Sequence, residues 1–191
     1  MLSFSTSVRW VVITEVLKDN MPELLSYAEM QKLLKDLPAE QKKLVEDLMP
    51  SIVSPTVLHR VLQALLRERV SIRDLATILE GLGESAPHTT SITTMVEHVR
   101  TRLGRQLCWQ HRGDDGALPI ITLSADWENA FSDALVGPGD DKQLSLAPSR
   151  LQEFIRGVRD GFERAAMSGE SPVLLTSPGI RPYVRSIIER T

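Results

Sequence analysis

Residues Val70–Glu80 read VSIRDLATILE. Ser71 precedes an apolar run, and its hydroxyl suits the free N–H groups of a first helical turn. Asp74 sits three residues on, where it can reach back. Ile72, Leu75, Ile78 and Leu79 fall on one stripe at helical spacing. The stretch predicts a helix capped at Ser71, buried along one face, with Gly81 and Gly83 as C-terminal stops. Such a helix needs neighbours with matching stripes.

The flanking sequence supplies them. Ser54-Pro55 is a cap followed by a proline suited to the first helical position, and Val57, Leu58, Val61, Leu62, Leu65 and Leu66 follow with a 3–4 period. Further upstream, Ser26 and Glu29 form a capping box for a helix near 27–36, and Pro38 opens another near 38–48. Val8, Val11, Val12 and Val16 give a first amphipathic stripe. Downstream, a helix from Ser91 carries Ile92, Met95, Val96, Val99 and Leu103, and its pattern extends past Gly104 to Trp109.

The pattern then changes. Gly113–Gly116 is turn chemistry. Leu118–Leu123, LPIITL, is short, apolar and rich in β-branched residues, so it reads as a strand. Ser124 caps a helix near 125–136, Gly137–Asp141 is a loop, and Pro148 opens a long helix with Leu151, Phe154, Ile155, Val158 and Phe162. Pro172–Thr176 is a second strand, and Ser177-Pro178 begins a last helix with Ile180, Val184, Ile187 and Ile188. A crossover of this length makes the two strands parallel.

The expected fold class is α+β, predominantly α: a helical bundle followed by a small α/β unit with an incomplete sheet. Residues 1–20 read as the C-terminal end of an upstream subdomain, 21–110 as the helical subdomain and 111–191 as the small α/β subdomain. Two strands are too few for a stable sheet. The expectation is therefore that the second unit is truncated or completed by another chain.

Composition narrows the function. The 191 residues are 42% apolar and 25% charged with a net charge of −3, an ordinary globular composition with no general attraction for nucleic acid or acidic lipid. The longest clean apolar run, Trp10–Ile13, is far too short to cross a bilayer, and the N-terminus does not resemble a signal peptide. One cysteine, Cys108, fits a reducing compartment. The expected location is cytosolic.

Candidate reactive groups are few. No two of His59, His88, His98 and His111 share the i, i+4 spacing of metal ligands, so no metal site is expected, and exposed or capping roles are. Cys108 has His111 three residues on, but Leu103, Leu107 and Trp109 mark an apolar face, which favours a buried, inert thiol over a nucleophile. Thr176–Gly179 follows a strand and precedes a helix, the setting of a nucleophile elbow. It lacks the glycine before the serine, and helix capping fits better. The arginines of 67–73 and 100–112 read as a solvated face or a protein–protein edge.

Several segments in order also resemble one family: Val11–Val16 (VVITEV); Glu23-Leu24-Leu25 before a glutamine-bearing helix; Leu48-Met49-Pro50; Val61–Glu68 (VLQALLRE); Leu118–Leu123; Pro172–Pro178 (PVLLTSP) and Ile180–Val184 (IRPYV). Together with the Val70–Glu80 helix they are similar to the cytoplasmic region of the FHIPEP family, export-gate proteins of the bacterial flagellum and of type III secretion. The resemblance implies a non-enzymatic component without cofactor. In the family, an N-terminal half lies in the bacterial inner membrane. The cytoplasmic half has four subdomains and forms a nonameric ring that docks export chaperones, their substrates and other export-apparatus proteins. This chain would span the end of the first subdomain, the helical third and most of the fourth, and alone would dock chaperones weakly.

The resemblance places Thr14 on the threonine of a VVATHL-like segment lining the chaperone-docking dimple, with Glu15 where the family has histidine. Read alone, Thr14 is a threonine on a partly buried helix. The ring-forming role falls on the helical unit, with Arg73 and Asp74 as its candidates; a local cap beside a solvated arginine explains the same residues. Two rival readings remain at this level: a small hydrolase using Ser177 or Cys108, and an unrelated helical protein-interaction adaptor.

Overall fold

The computed structural model describes residues 20–113, 115–139 and 142–189. Thr14 and the Val8–Val16 stripe lie outside the described residues. The chain divides into two compact units, Met1–Leu103 and Gly104–Thr191.

In the first unit, residues 20–24 are helical. There follow α1 (Tyr27–Lys35), α2 (Ala39–Leu48), α3 (Pro55–Arg67), α4 (Leu75–Ser85) and α5 (Ile92–Arg102). Serines cap three of these, Ser26 and Ser54 as the sequence predicts and Ser91 in addition. The hydroxyls of Ser26, Ser54 and Ser91 accept from the N–H groups of Glu29, Val57 and Thr94 at 3.2, 3.2 and 3.3 Å. Leu58, Val61, Leu62 and Leu65 of α3 are completely buried, as are Ile78, Leu79 and Leu82 of α4 and Val99 of α5, and α5 packs against both α3 and α4. Met30 and Leu34 bring α1 onto this core.

Two helix boundaries differ from the sequence expectation. Gly81 and Gly83 do not stop α4, which runs to Ser85. They are where neighbours press closest: a Cβ on Gly81 would lie 3.2 Å from Val99 Cγ2, and one on Gly83 2.7 Å from Leu48 Cδ2. These glycines thin the helix instead of ending it. Ser85 is buried, and its hydroxyl donates to the Gly81 carbonyl at 2.8 Å. The expected continuous helix from Ser91 to Trp109 is interrupted at Leu103, and a separate α6 (Gly104–Gln110) begins after it. Glycine's poor helix propensity accounts for the break.

The second unit adds β1 (Ile120–Thr122), α7 (Ala125–Asp133), β2 (Leu135–Val136), β3 (Gln143–Leu144), α8 (Pro148–Met167), β4 (Val173–Leu175) and α9 (Arg181–Ile188). β1 and β4 pair in parallel, Ile120 opposite Val173 and Thr122 opposite Leu175. The helix expected to reach residue 136 ends earlier. Leu135–Val136 instead pairs antiparallel with Gln143–Leu144, a small hairpin that the helical reading absorbed. The last helix starts at Arg181 and not at Ser177, whose carbonyl accepts from Ile180 and Arg181 in a preceding turn. The core is aromatic: Phe131 and Phe154 meet edge-on at 4.7 Å between centroids, Trp127 stands 5.2 Å from Phe154, and Val158, Ile180 and Val184 close the cluster.

Candidate interaction surface

The connection from α3 to α4 is held by a series of local hydrogen bonds. α3 ends in a Schellman arrangement: the N–H of Arg69 donates to the Leu66 carbonyl at 2.9 Å and that of Val70 to Leu65 at 2.9 Å. Arg69 takes the left-handed position (φ 56°) that glycine normally fills. Val70, 2% exposed, plugs into the core just after it. Ser71 accepts from the Arg73 N–H at 3.4 Å. Asp74, not Ser71, caps α4: one carboxylate oxygen accepts from the Thr77 N–H at 3.2 Å, the other from the Thr77 hydroxyl at 2.8 Å. The helix therefore begins at Leu75, three residues later than the Ser71 cap would set it.

This splits the two residues the sequence set side by side. Asp74 is committed to the helix end. Arg73 is exposed, and its guanidinium has no hydrogen-bond or ion-pair partner among the described residues. The loop is braced from behind by Glu68, whose carboxylate pairs with Arg100 of α5 at 2.8 Å; both are largely buried, with side chains 15% and 20% exposed. Along α5, Arg102 bridges Glu80 at 2.8 Å and Glu84 at 3.1 Å, and His98 bonds Glu84 at 2.9 Å. The His98 hydrogen bond holds the Glu84 carboxyl below its ordinary value; partial desolvation opposes it and the Arg102 charge reinforces it.

The candidate nucleophiles behave differently from expectation. Cys108 is exposed, not buried, and Trp109 beside it is 71% exposed with the Arg112 guanidinium 5.2 Å from its ring. The seven-residue α6 has no buried residue; of the apolar face read there, Leu103, just before the helix, is buried and Trp109 is not. His111 reaches Cys108 through its backbone, N–H to carbonyl at 3.3 Å. Ser177 has a carboxylate in reach: its N–H donates to Glu128 Oε1 at 3.1 Å and its hydroxyl to Oε2 at 2.5 Å. With both Ser177 donors taken up by one carboxylate, the arrangement is a clamp between α7 and the turn before α9, and that N–H is not available to an oxyanion. Among the described residues, no three His, Cys, Asp or Glu side chains gather as a metal set. No helix among them is long and apolar enough to cross a membrane.

Residues 3–191 match the family model FHIPEP. The chain belongs to the FHIPEP family. Within it, the chain is 75% identical over 178 residues to the flagellar biosynthesis protein FlhA of Caulobacter vibrioides, a match that covers 93% of this chain and 25% of that protein. It thus spans about a quarter of the length of the curated FHIPEP relatives it matches. Among solved structures it is similar to the C-terminal domain of InvA, with a TM-score of 0.80 at 26% identity, covering 91% of this chain and 53% of that one. It is also similar to the nonameric EscV cytosolic domain from a type III secretion system, with a TM-score of 0.75 at 26% identity, covering 95% and 53%.

One anchor was missed in the sequence. His59 and Gln63 of α3 bond backbone carbonyls near residue 25. The only signal was their i, i+4 spacing on the polar flank of an apolar helix.

Proposed function

We propose that this chain is cytoplasmic machinery of a bacterial export gate of the flagellar kind, part of a longer protein held in the inner membrane. It works by docking and ring-building and carries no bond chemistry. The observation that carries this reading is the 75% identity to Caulobacter FlhA along 93% of the chain. The likeness to the nonameric EscV domain supports a ring of nine copies.

Within that reading, Thr14 contributes to the docking face for export chaperones and their substrates, and the α3–α4 loop contributes to the ring edge. Arg73 is the contact residue: a cation on a rigid loop, exposed, beside a neighbour already engaged. Asp74 supports the edge indirectly, by starting α4 at the right residue. Arginine suits such a contact because its planar fork pairs with carboxylates at low entropic cost.

The test is a segment exchange. The matching 178-residue stretch of Caulobacter FlhA is replaced by this sequence in a strain lacking its own copy. Swimming through soft agar should return. A chimera that accumulates at normal levels in the membrane yet builds no flagella would contradict the proposal.

A further inference from the structure

Three hydrogen bonds join side chains of α3 to backbone far upstream. The Nε2–H of His59 donates to the Leu25 carbonyl at 2.7 Å. The Gln63 amide donates to the Pro22 carbonyl at 3.0 Å and the Leu25 carbonyl at 3.4 Å. The two donors lie four residues apart on one helix face.

The acceptors are the carbonyls that a helix end leaves unsatisfied. The helical stretch 20–24 closes with the Leu25 N–H donating to Met21 at 3.1 Å. The next N–H, that of Ser26, turns to Leu24 at 2.9 Å and so abandons the Pro22 carbonyl. Gln63 takes up that carbonyl, and His59 takes up the one at Leu25. Leu25 itself is buried, 7% exposed. Tyr27 meets the His59 ring edge-on at 6.0 Å and limits its rotation.

We propose that His59 and Gln63 are a positioning pair that fixes the direction in which residues 20–25 enter the helical unit, an anchor on which the docking role proposed for Thr14 depends. The part concerning Thr14 rests on the docking role proposed above. The anchor itself rests on the hydrogen bonds alone.

Hydrogen–deuterium exchange on the 191-residue chain tests the anchor. Gln63→Glu keeps the side chain's shape and removes its donors. Combined with His59→Ala it should speed exchange of the Leu25 and Ser26 amides by about tenfold, the loss of one to two net hydrogen bonds. Leu62 and Leu79 in the core should be unaffected. Gln63→Glu alone should act in the same direction, which keeps the test open if the double variant folds poorly. Unchanged exchange at Leu25 and Ser26, or equal acceleration everywhere, would overturn the proposal. In the segment-exchanged FlhA, the same double variant should reduce swimming as Thr14→Ala does. Normal swimming by the double variant while Thr14→Ala is impaired would remove the positioning role. Normal swimming by Thr14→Ala would remove the docking assignment and leave the exchange result to decide the anchor.

Discussion

At Asp74 a single side chain decides where α4 begins. Both Ser71 and Asp74 are competent caps. Asp74 prevails because the left-handed turn at Arg69 and the burial of Val70 draw the chain inward, leaving 71–74 outside the helix. Asp74→Ala should cost about 1 kcal/mol in urea unfolding, while Asp74→Asn should stay within a few tenths. Ser71→Ala should cost less than Asp74→Ala; the reverse order would restore the earlier cap. Glu84 gives a pH-dependent counterpart. Its folded-state carboxyl lies below the ordinary value of 4.5, so the unfolded chain takes up that proton first. The stabilisation is therefore complete above that value and is lost as pH falls through the folded one. The stability advantage of the native chain over Glu84→Gln should be present near neutrality and shrink on acidification below about pH 4.5. A gap independent of pH would contradict the pairing with His98.

At the scale of elements, the apolar stripes were legible because a 3–4 period over many residues has one solution, a buried helix face. α3, α5 and α8 follow from theirs directly. Glycine was harder to read, since one residue serves two purposes. In α4, Gly81 and Gly83 make room for Val99 and Leu48. The two should differ on mutation. Val99 is completely buried and β-branched, so it cannot turn aside; Gly81→Ala should destabilise by about 1–2 kcal/mol. Leu48 meets Gly83 with the end of a flexible side chain, and alanine gains helix propensity there, so Gly83→Ala should cost under about 1 kcal/mol. Equal effects in thermal unfolding would show that α4 is not packed as described. The β2–β3 hairpin escaped notice because two-residue strands carry no period.

Across the whole molecule, the split between a helical part and a small α/β part was visible where β-branched runs replaced helical stripes. The surface was not. Exposure of Cys108 and Trp109, the engagement of Asp74 and the release of Arg73 depend on which side chains reach which backbone groups, and periodicity is silent about that. For the same reason the proposed ring edge stands on geometry and kinship together, with Arg73 as its contact. The most direct measurement is the assembly state of the cytoplasmic region of Caulobacter FlhA carrying this segment, followed by mass photometry. A ninefold species should form, and Arg73→Glu should shift it to monomers while Asp74→Asn leaves it intact. Persistent monomers without any substitution, or rings indifferent to Arg73→Glu, would contradict the account.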